Sequence, residues 1–236
     1  MGTSVRTGCD SDPDVTEGPR YGHLVLRLDH VIVAVPDLER AAAALVEDLG
    51  LATVPGGVHP GFGTANRIGP LGGGSYIELM AVHDPAVAAT TDVGRWVTEA
   101  TAAGSSGLAG WMLAPDDLEA TATRLGIQVV PGERRRPDGT SIRWRLAGLG
   151  TMVGAPPLPA FIAWDVGPDD HPSATPAPTL AEPAGVEWVE VAGADGRLAG
   201  WLGTEERGVE IREVDGPPGL RAVGVATADG GELVLQ

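Results

Sequence analysis

The stretch LDHVIVAVPDLERAAAALVEDLG, Leu28–Gly50, returns in altered form as LAGWMLAPDDLEATATRLG, Leu108–Gly126. Leu28 matches Leu108, Asp37 matches Asp117 and Leu38 matches Leu118, a constant offset of 117 − 37 = 80. The β-branched run over residues 24–35 predicts a strand. Asp37 can accept from the free N–H groups of a helix start. Leu38, Ala41, Leu45 and Leu49 then give an apolar helical stripe, and Gly50 suits the stop.

Working outward, residues 51–58, TANRIGPL (Thr64–Leu71) and SYIELMAV (Ser75–Val82) predict three strands after the first helix, with GPLGGGS as a hairpin turn. After the second helix come IQVVPGERRR, the turn PDG, and the strands TSIRWRLAGL (Thr140–Leu149) and LPAFIAWD (Leu158–Asp165). Asp138-Gly139 fits a tight hairpin, because glycine tolerates positive φ. A weaker third copy, VEWVEVAGADGRLAGWLG followed by VEIREV, LRAVGVATADG and GELVLQ, lies beyond a Pro- and Ala-rich linker. Units repeated at this length bury their faces against one another. The expected organisation is a flexible acidic tail at 1–23, β-α-β-β-β units at 24–106 and 107–175, and a linker with a truncated third unit at 176–236. The expected fold class is α+β with curved mixed sheets.

Of 236 residues, 43% are hydrophobic and 20% charged, as in a folded rather than a disordered chain. No apolar run approaches the roughly 18 residues that span a bilayer, and the polar start carries no secretory signal. Cys9, the one cysteine, leaves no intramolecular disulfide and fits a reducing cytoplasm. The net charge of −16 repels phosphate backbones and anionic membranes, which sets nucleic acid and membrane aside as partners. All 16 basic residues are arginines, which we attribute to coding bias. Arg134, Arg135, Arg136, Arg143 and Arg145 cluster, and read either as a solvated hairpin rim or as an anion-binding patch with Arg136 as contact.

Several polar residues stand out against this background. Glu78 closes an apolar strand, sharing a face with Tyr76 and Met80; a buried carboxyl there calls for a cation, donors or a catalytic task. His30 shares its expected face with Leu28 and Ile32, and is either a hydrogen-bonded interior histidine or a ligand. His59 sits among Pro60, Gly61 and Gly63; it either holds the loop or touches substrate and moves a proton. Asn66 is a turn hydrogen-bonder or a substrate contact. Trp111, Trp144 and Trp164 fall one per strand, as core or as the lining of a cavity.

The opening LDHVIVAVPDLERA, the duplicated unit and the strand-ending glutamate resemble the vicinal oxygen chelate superfamily. Within it, GGVHPGFGTANRIGPLGGGSYIELMAV, RRRPDGTSIRW and PAFIAWD…HPS resemble the bacterial glyoxalase-like domain family, over roughly residues 26–175. The resemblance implies paired modules curved into a cup. Metal ligands in that superfamily come from a first-strand and a fourth-strand position of each module. Carried over, these are His30 and Glu78 in the first module, suiting Zn²⁺, Fe²⁺, Mn²⁺ or Ni²⁺, and Gly110 and Ala163 in the second, where neither can ligate. Asp165 substitutes for Ala163 if the register shifts, and His171 follows in DDHPS. Two functions follow from the resemblance. One is metal-assisted isomerase or lyase chemistry through an enolate or oxyanion, with His59 or His171 moving the proton and Asn66, Tyr76, Arg136, Trp144 and Asp165 contacting substrate. The other is binding of a small molecule without metal or turnover. Paired modules of this kind also complete sheets across a homodimer, which makes a second copy an expected partner.

Overall fold

The structure, a computed structural model, describes residues 25–154 and 158–236. The expected acidic tail, with Cys9 and His23, lies outside the described residues. The first unit is β1 (Val25–Ala34), α1 (Leu38–Leu49), β2 (Val54–His59), β3 (Thr64–Gly72) and β4 (Ser75–Val82), followed by α2 (Pro85–Ala88) and α3 (Asp92–Ala100). The second is β5 (Gly107–Pro115), α4 (Leu118–Leu125), β6 (Val129–Arg135), β7 (Ser141–Ala147), α5 (Leu149–Gly154) and β8 (Ala160–Trp164). Then come β9 (Pro183–Ala192), α6 (Arg197–Leu202), β10 (Glu206–Arg207), β11 (Glu210–Val214), β12 (Gly219–Thr227) and β13 (Glu232–Leu235).

The repeat is visible in the caps. Asp37 accepts from the N–H groups of Glu39 and Arg40 at the start of α1, and Asp117 accepts from Ala120 at the start of α4. Gly50 and Gly126 both stop their helices at φ 66°. Each Asp cap is worth about 1 kcal/mol.

Strand order follows the repeat as well. β1 runs parallel to β4 and β5 parallel to β8, while β4-β3-β2 and β8-β7-β6 are antiparallel ladders. The two units join twice, β1 against β5 and β2 against β6, so eight strands close on themselves. The second junction is thin: Val58 opposite Arg135 is its one register pair among the described residues.

The ring has two apolar faces. Leu26, Leu28, Val31, Leu79, Trp111, Leu113 and Phe161 point outward into the larger core, under the α1 stripe and against Val189, Val191, Val223 and Val225 of the second sheet. Ile32, Met80, Met112, Ile142, Trp144, Leu146 and Ile162 point inward, where Val93 and Val97 of α3 and Met152 of α5 pack on them. Those two helices were not expected. TSIRWRLAGL does not run on as a strand to Leu149: β7 ends at Ala147, and Gly148, at φ 78°, turns the chain into α5.

The last stretch forms its own sheet in the order β11-β9-β12-β13. It opens β-α-β like the others, but β9 has β11 parallel on one side and β12 antiparallel on the other. β10 leaves it to pair with Val25 and Leu26 of β1. Among the described residues no helix is long and apolar enough to cross a membrane.

Candidate functional site

One extra residue in β1 creates the polar end of the interior. Leu28 pairs with Leu113 and His30 with Met112, so Asp29 and His30 together oppose a single step of β5. This bulge switches the alternation: Leu28 and Val31 both face the outer core, while His30 and Ile32 face inward. His30 therefore does not share a face with Leu28, as simple alternation predicted. The bulge also turns Asp29 toward the inner side, where its carboxylate meets His30 Nδ1 at 2.5 Å, His171 Nε2 at 3.1 Å and Trp164 Nε1 at 3.0 Å. Burial pushes the Asp29 carboxyl up, but its hydrogen bonds to His171 and His30 outweigh this and hold it down at about 2. An unprotonated Asp29 requires His30 Nδ1 to be the donor, which leaves Nε2 of the neutral ring as an acceptor.

That Nε2 faces Glu78 Oε2 at 3.4 Å. Glu78 projects from β4 on the face of Tyr76 and Met80, and its other oxygen accepts from Asn66 Nδ2 of β3 at 2.5 Å. His59, the last residue of β2, brings Nε2 to 3.7 Å from Glu78 Oε1 and is held through Nδ1 by Thr64 Oγ1 at 3.0 Å. Tyr76 stacks on the His30 ring at 4.6 Å between centroids. Arg134 of β6 reaches in from the opposite ladder, with Nη1 3.4 Å from Asn66 Oδ1. These groups line one end of a small interior cavity of about 40 Å³ whose other walls are Phe62, Val93, Trp96, Met112, Trp144 and Met152.

The charge states follow from burial. It pushes the His59 ring down from 6.5 to about 4, against an opposing pull from Glu78. It also pushes the Tyr76 hydroxyl well above its usual value and the Arg134 guanidinium below its own. Unfolded, the His59 ring takes a proton near pH 6.5; folded, it does so only near pH 4. Its contribution is therefore intact above pH 6.5 and is lost as the pH falls to about 4, a cumulative cost of about 3 kcal/mol. Urea unfolding at pH 7 and pH 4.5 checks this. The loss in the wild type should exceed that in His59→Gln, and equal losses would contradict it. Asp29 acts in a lower window, present above pH 3.8 and lost as the pH falls through about 2.

The structure thus brings together His30, His59, Asn66, Tyr76, Glu78 and Trp144 around one space. It places three of the sequence candidates elsewhere. His171 lies behind Asp29, edge-on to Trp164 and Tyr76, and bonds Ser173. Arg136 is at the rim, bonded to the side chain and carbonyl of Asp170. Asp165 lies on the far face of β8 and pairs with Arg145 at the surface. Ala163 shares that far face, and the inward residue of β8 that matches Glu78 in register is Ala160: Glu78 lies opposite Ile32 of β1, and Ala160 opposite Met112 of β5. At Gly110 a Cβ would meet Met152 Sδ at 2.9 Å and the Trp96 ring at 3.3 Å, so those side chains fill the place of a second-module ligand. Among the described residues no group of three or more His, Cys, Asp or Glu stands as a metal cage.

Asp29 escaped the sequence reading, and Arg134 was read only as one of five clustered arginines. Asp29 was signalled by an acid beside a histidine within an apolar strand. Arg134 was signalled by the hairpin register: it lies opposite Ile142, two residues before Trp144 on the inward face.

Comparison with known proteins places this geometry. A structure of a hypothetical protein from Staphylococcus aureus superposes with a TM-score of 0.62 at 17% identity, covering 89% of this chain and 99% of that one. Methylmalonyl-CoA epimerase from Mycobacterium tuberculosis matches at a TM-score of 0.42 and 20% identity, over 58% of this chain and 85% of that one. No curated protein sequence matches the chain. The family model for the glyoxalase-like domain matches residues 28–206, which span both closed-ring units. The chain belongs to that glyoxalase-like domain family, within the vicinal oxygen chelate superfamily.

Proposed function

We propose that the protein binds a small carbonyl compound with an apolar body inside the ring and moves a proton on the carbon next to the carbonyl. The reaction is of isomerase or lyase type and passes through an enolate or oxyanion. The observation that carries this reading is Glu78: a buried carboxyl group, fixed by Asn66 and flanked by two imidazoles, at the end of an otherwise apolar cavity. His30 Nε2 and Glu78 Oε2 are two acceptors facing each other at 3.4 Å, and a proton between them is what reconciles the pair. Glu78 Oε2 takes the proton from carbon, the proton held at His30 Nε2 goes to the enolate, and the proton on Glu78 then passes to the ring to restore the pair. Tyr76, whose buried hydroxyl keeps its proton, supplies a donor for the developing oxyanion. The apolar walls keep water from the intermediate.

The test is proton exchange in D₂O, followed by NMR, on a panel of aliphatic aldehydes, methyl ketones and 2-oxo acids. Deuterium is expected next to the carbonyl of one class at a rate well above buffer. Binding without exchange in any class would overturn the catalytic reading and leave a binding protein.

A divalent ion is the second reading, favoured by the same 3.4 Å. Two ligands about 2.1 Å from one tetrahedral ion stand that far apart, and Asp29 on His30 Nδ1 is the outer partner that metal-bound histidines have. The fit covers half a shell: His30 and Glu78 would hold Zn²⁺, Fe²⁺, Mn²⁺ or Ni²⁺, with water or substrate completing it. Such an ion would polarise the carbonyl as a Lewis acid. Metal analysis of wild type and His30→Ala separates the readings. Near-stoichiometric metal lost in the variant supports the ion, whereas exchange by metal-free protein supports the proton pair.

A further inference from the structure

We propose that Arg134 is the recognition group of this cavity and that its ligand carries a carboxylate. The inference deepens the reading above, since it takes the interior space to be the ligand site.

Arg134 is 4% exposed, yet its charge has little to hold. Its Nε is buried without a hydrogen-bond partner. Among the described residues its side chain makes one hydrogen bond, the 3.4 Å contact from Nη1 to Asn66 Oδ1, and no carboxyl group stands within ion-pair distance. The other clustered arginines with ion pairs differ: Arg136 has Asp170, Arg143 has Glu133, and Arg145 has Glu119 and Asp165. A guanidinium offers five N–H groups, and burying it unpaired is costly.

The surroundings make the isolation specific. Asn66 stands between Arg134 and Glu78, giving Nδ2 to the acid and Oδ1 to the guanidinium. It keeps the two charged groups from neutralising each other and leaves both on the cavity wall. Gly56 makes the room: a Cβ there would lie 2.5 Å from Arg134 Nη1. The missing partner is thus a planar anion that arrives with the ligand, and the fork of a guanidinium matches a carboxylate through two parallel bonds. Among the described residues Arg134 is the one arginine lining the cavity, with Glu78 close by, which fits a monoanion better than a phosphate dianion. The walls of Val93, Met112 and Met152 fit an apolar body behind that head.

The test compares hexanoate with hexanamide, equal in shape and different in charge, by titration calorimetry on wild type, Arg134→Gln and Arg134→Lys. Wild type should bind hexanoate at least about tenfold more tightly than hexanamide, and Arg134→Gln should lose that preference. Arg134→Lys, with the charge but not the fork, should keep part of it. Without ligand, Arg134→Gln should melt no lower than wild type, because it removes an unpaired buried charge. If hexanamide binds as well as hexanoate, or the preference survives in Arg134→Gln, the carboxylate proposal fails while the cavity reading stands. If neither probe binds wild type, both fail. If Arg134→Gln unfolds, the guanidinium has a structural partner and the proposal fails. A preference undiminished in Arg134→Lys would overturn the fork geometry.

Discussion

Glu78→Gln should reduce proton exchange by about a thousandfold, the range general bases contribute, while leaving the fold intact. The amide retains an oxygen to accept from Asn66 Nδ2, and its new N–H₂ donates to His30 Nε2, which now faces an acceptor. The pair that needs a proton between its halves in the wild type carries one covalently in the variant. Melting should therefore shift little or upward, by no more than about 1 kcal/mol. Exchange retained at the wild-type rate would remove Glu78 from the chemistry. A collapse in stability would show that the carboxyl group is needed for the fold.

The second large effect concerns the seam that brings Arg134 to Glu78. Gly57 has φ 141°, a conformation that side chains rarely adopt, and a Cβ there would run into the carbonyl oxygen of Arg135 on β6. Backbone strain and overpacking together should make Gly57→Ala cost about 4 kcal/mol. The damage falls beside Val58 and Arg135, the register pair that joins β2 to β6 among the described residues, so Arg134 should leave the cavity even in molecules that stay folded. Gly61→Ala is the control. Nothing lies within 4 Å of its Cβ and its φ is ordinary, so the change should stay within about 0.5 kcal/mol. Denaturant midpoints for the two variants decide it, and similar values would contradict the account of the seam.

Much of this molecule was legible in its sequence because repetition is a strong signal. The Asp37 and Asp117 caps, the helical stripes and the alternation in β4 and β7 are local rules, and local rules do not need the partner strand. What was hidden depended on partners. The switch of face at Asp29 arises from pairing with β5, where one residue is in excess, and alternation alone predicts the wrong neighbours for His30. The same limit applied to Ala163: an offset counts residues, but pairing with β5 decides which one stands where Glu78 does, and that is the inward Ala160. Arg134 was hidden among arginines that look alike in sequence, and its register against Ile142 sets it apart. α5 has no apolar stripe, and the one on α3, Val93, Trp96 and Val97, is short; they and Met152 matter because the closed ring leaves an interior for them to cover.

The central claim, that ligand binds at the polar end formed by His30, His59, Asn66, Glu78 and Arg134, has a direct test. Side-chain ¹⁵N spectra recorded while 2-oxohexanoate is titrated in should show the Arg134 Nε–H, the Asn66 amide and the His30 and His59 rings moving together and saturating. The Trp188 indole, bonded to Glu232 on the second sheet, should stay still. Saturable shifts confined to the second sheet, with the four cavity groups unmoved, would contradict the claim.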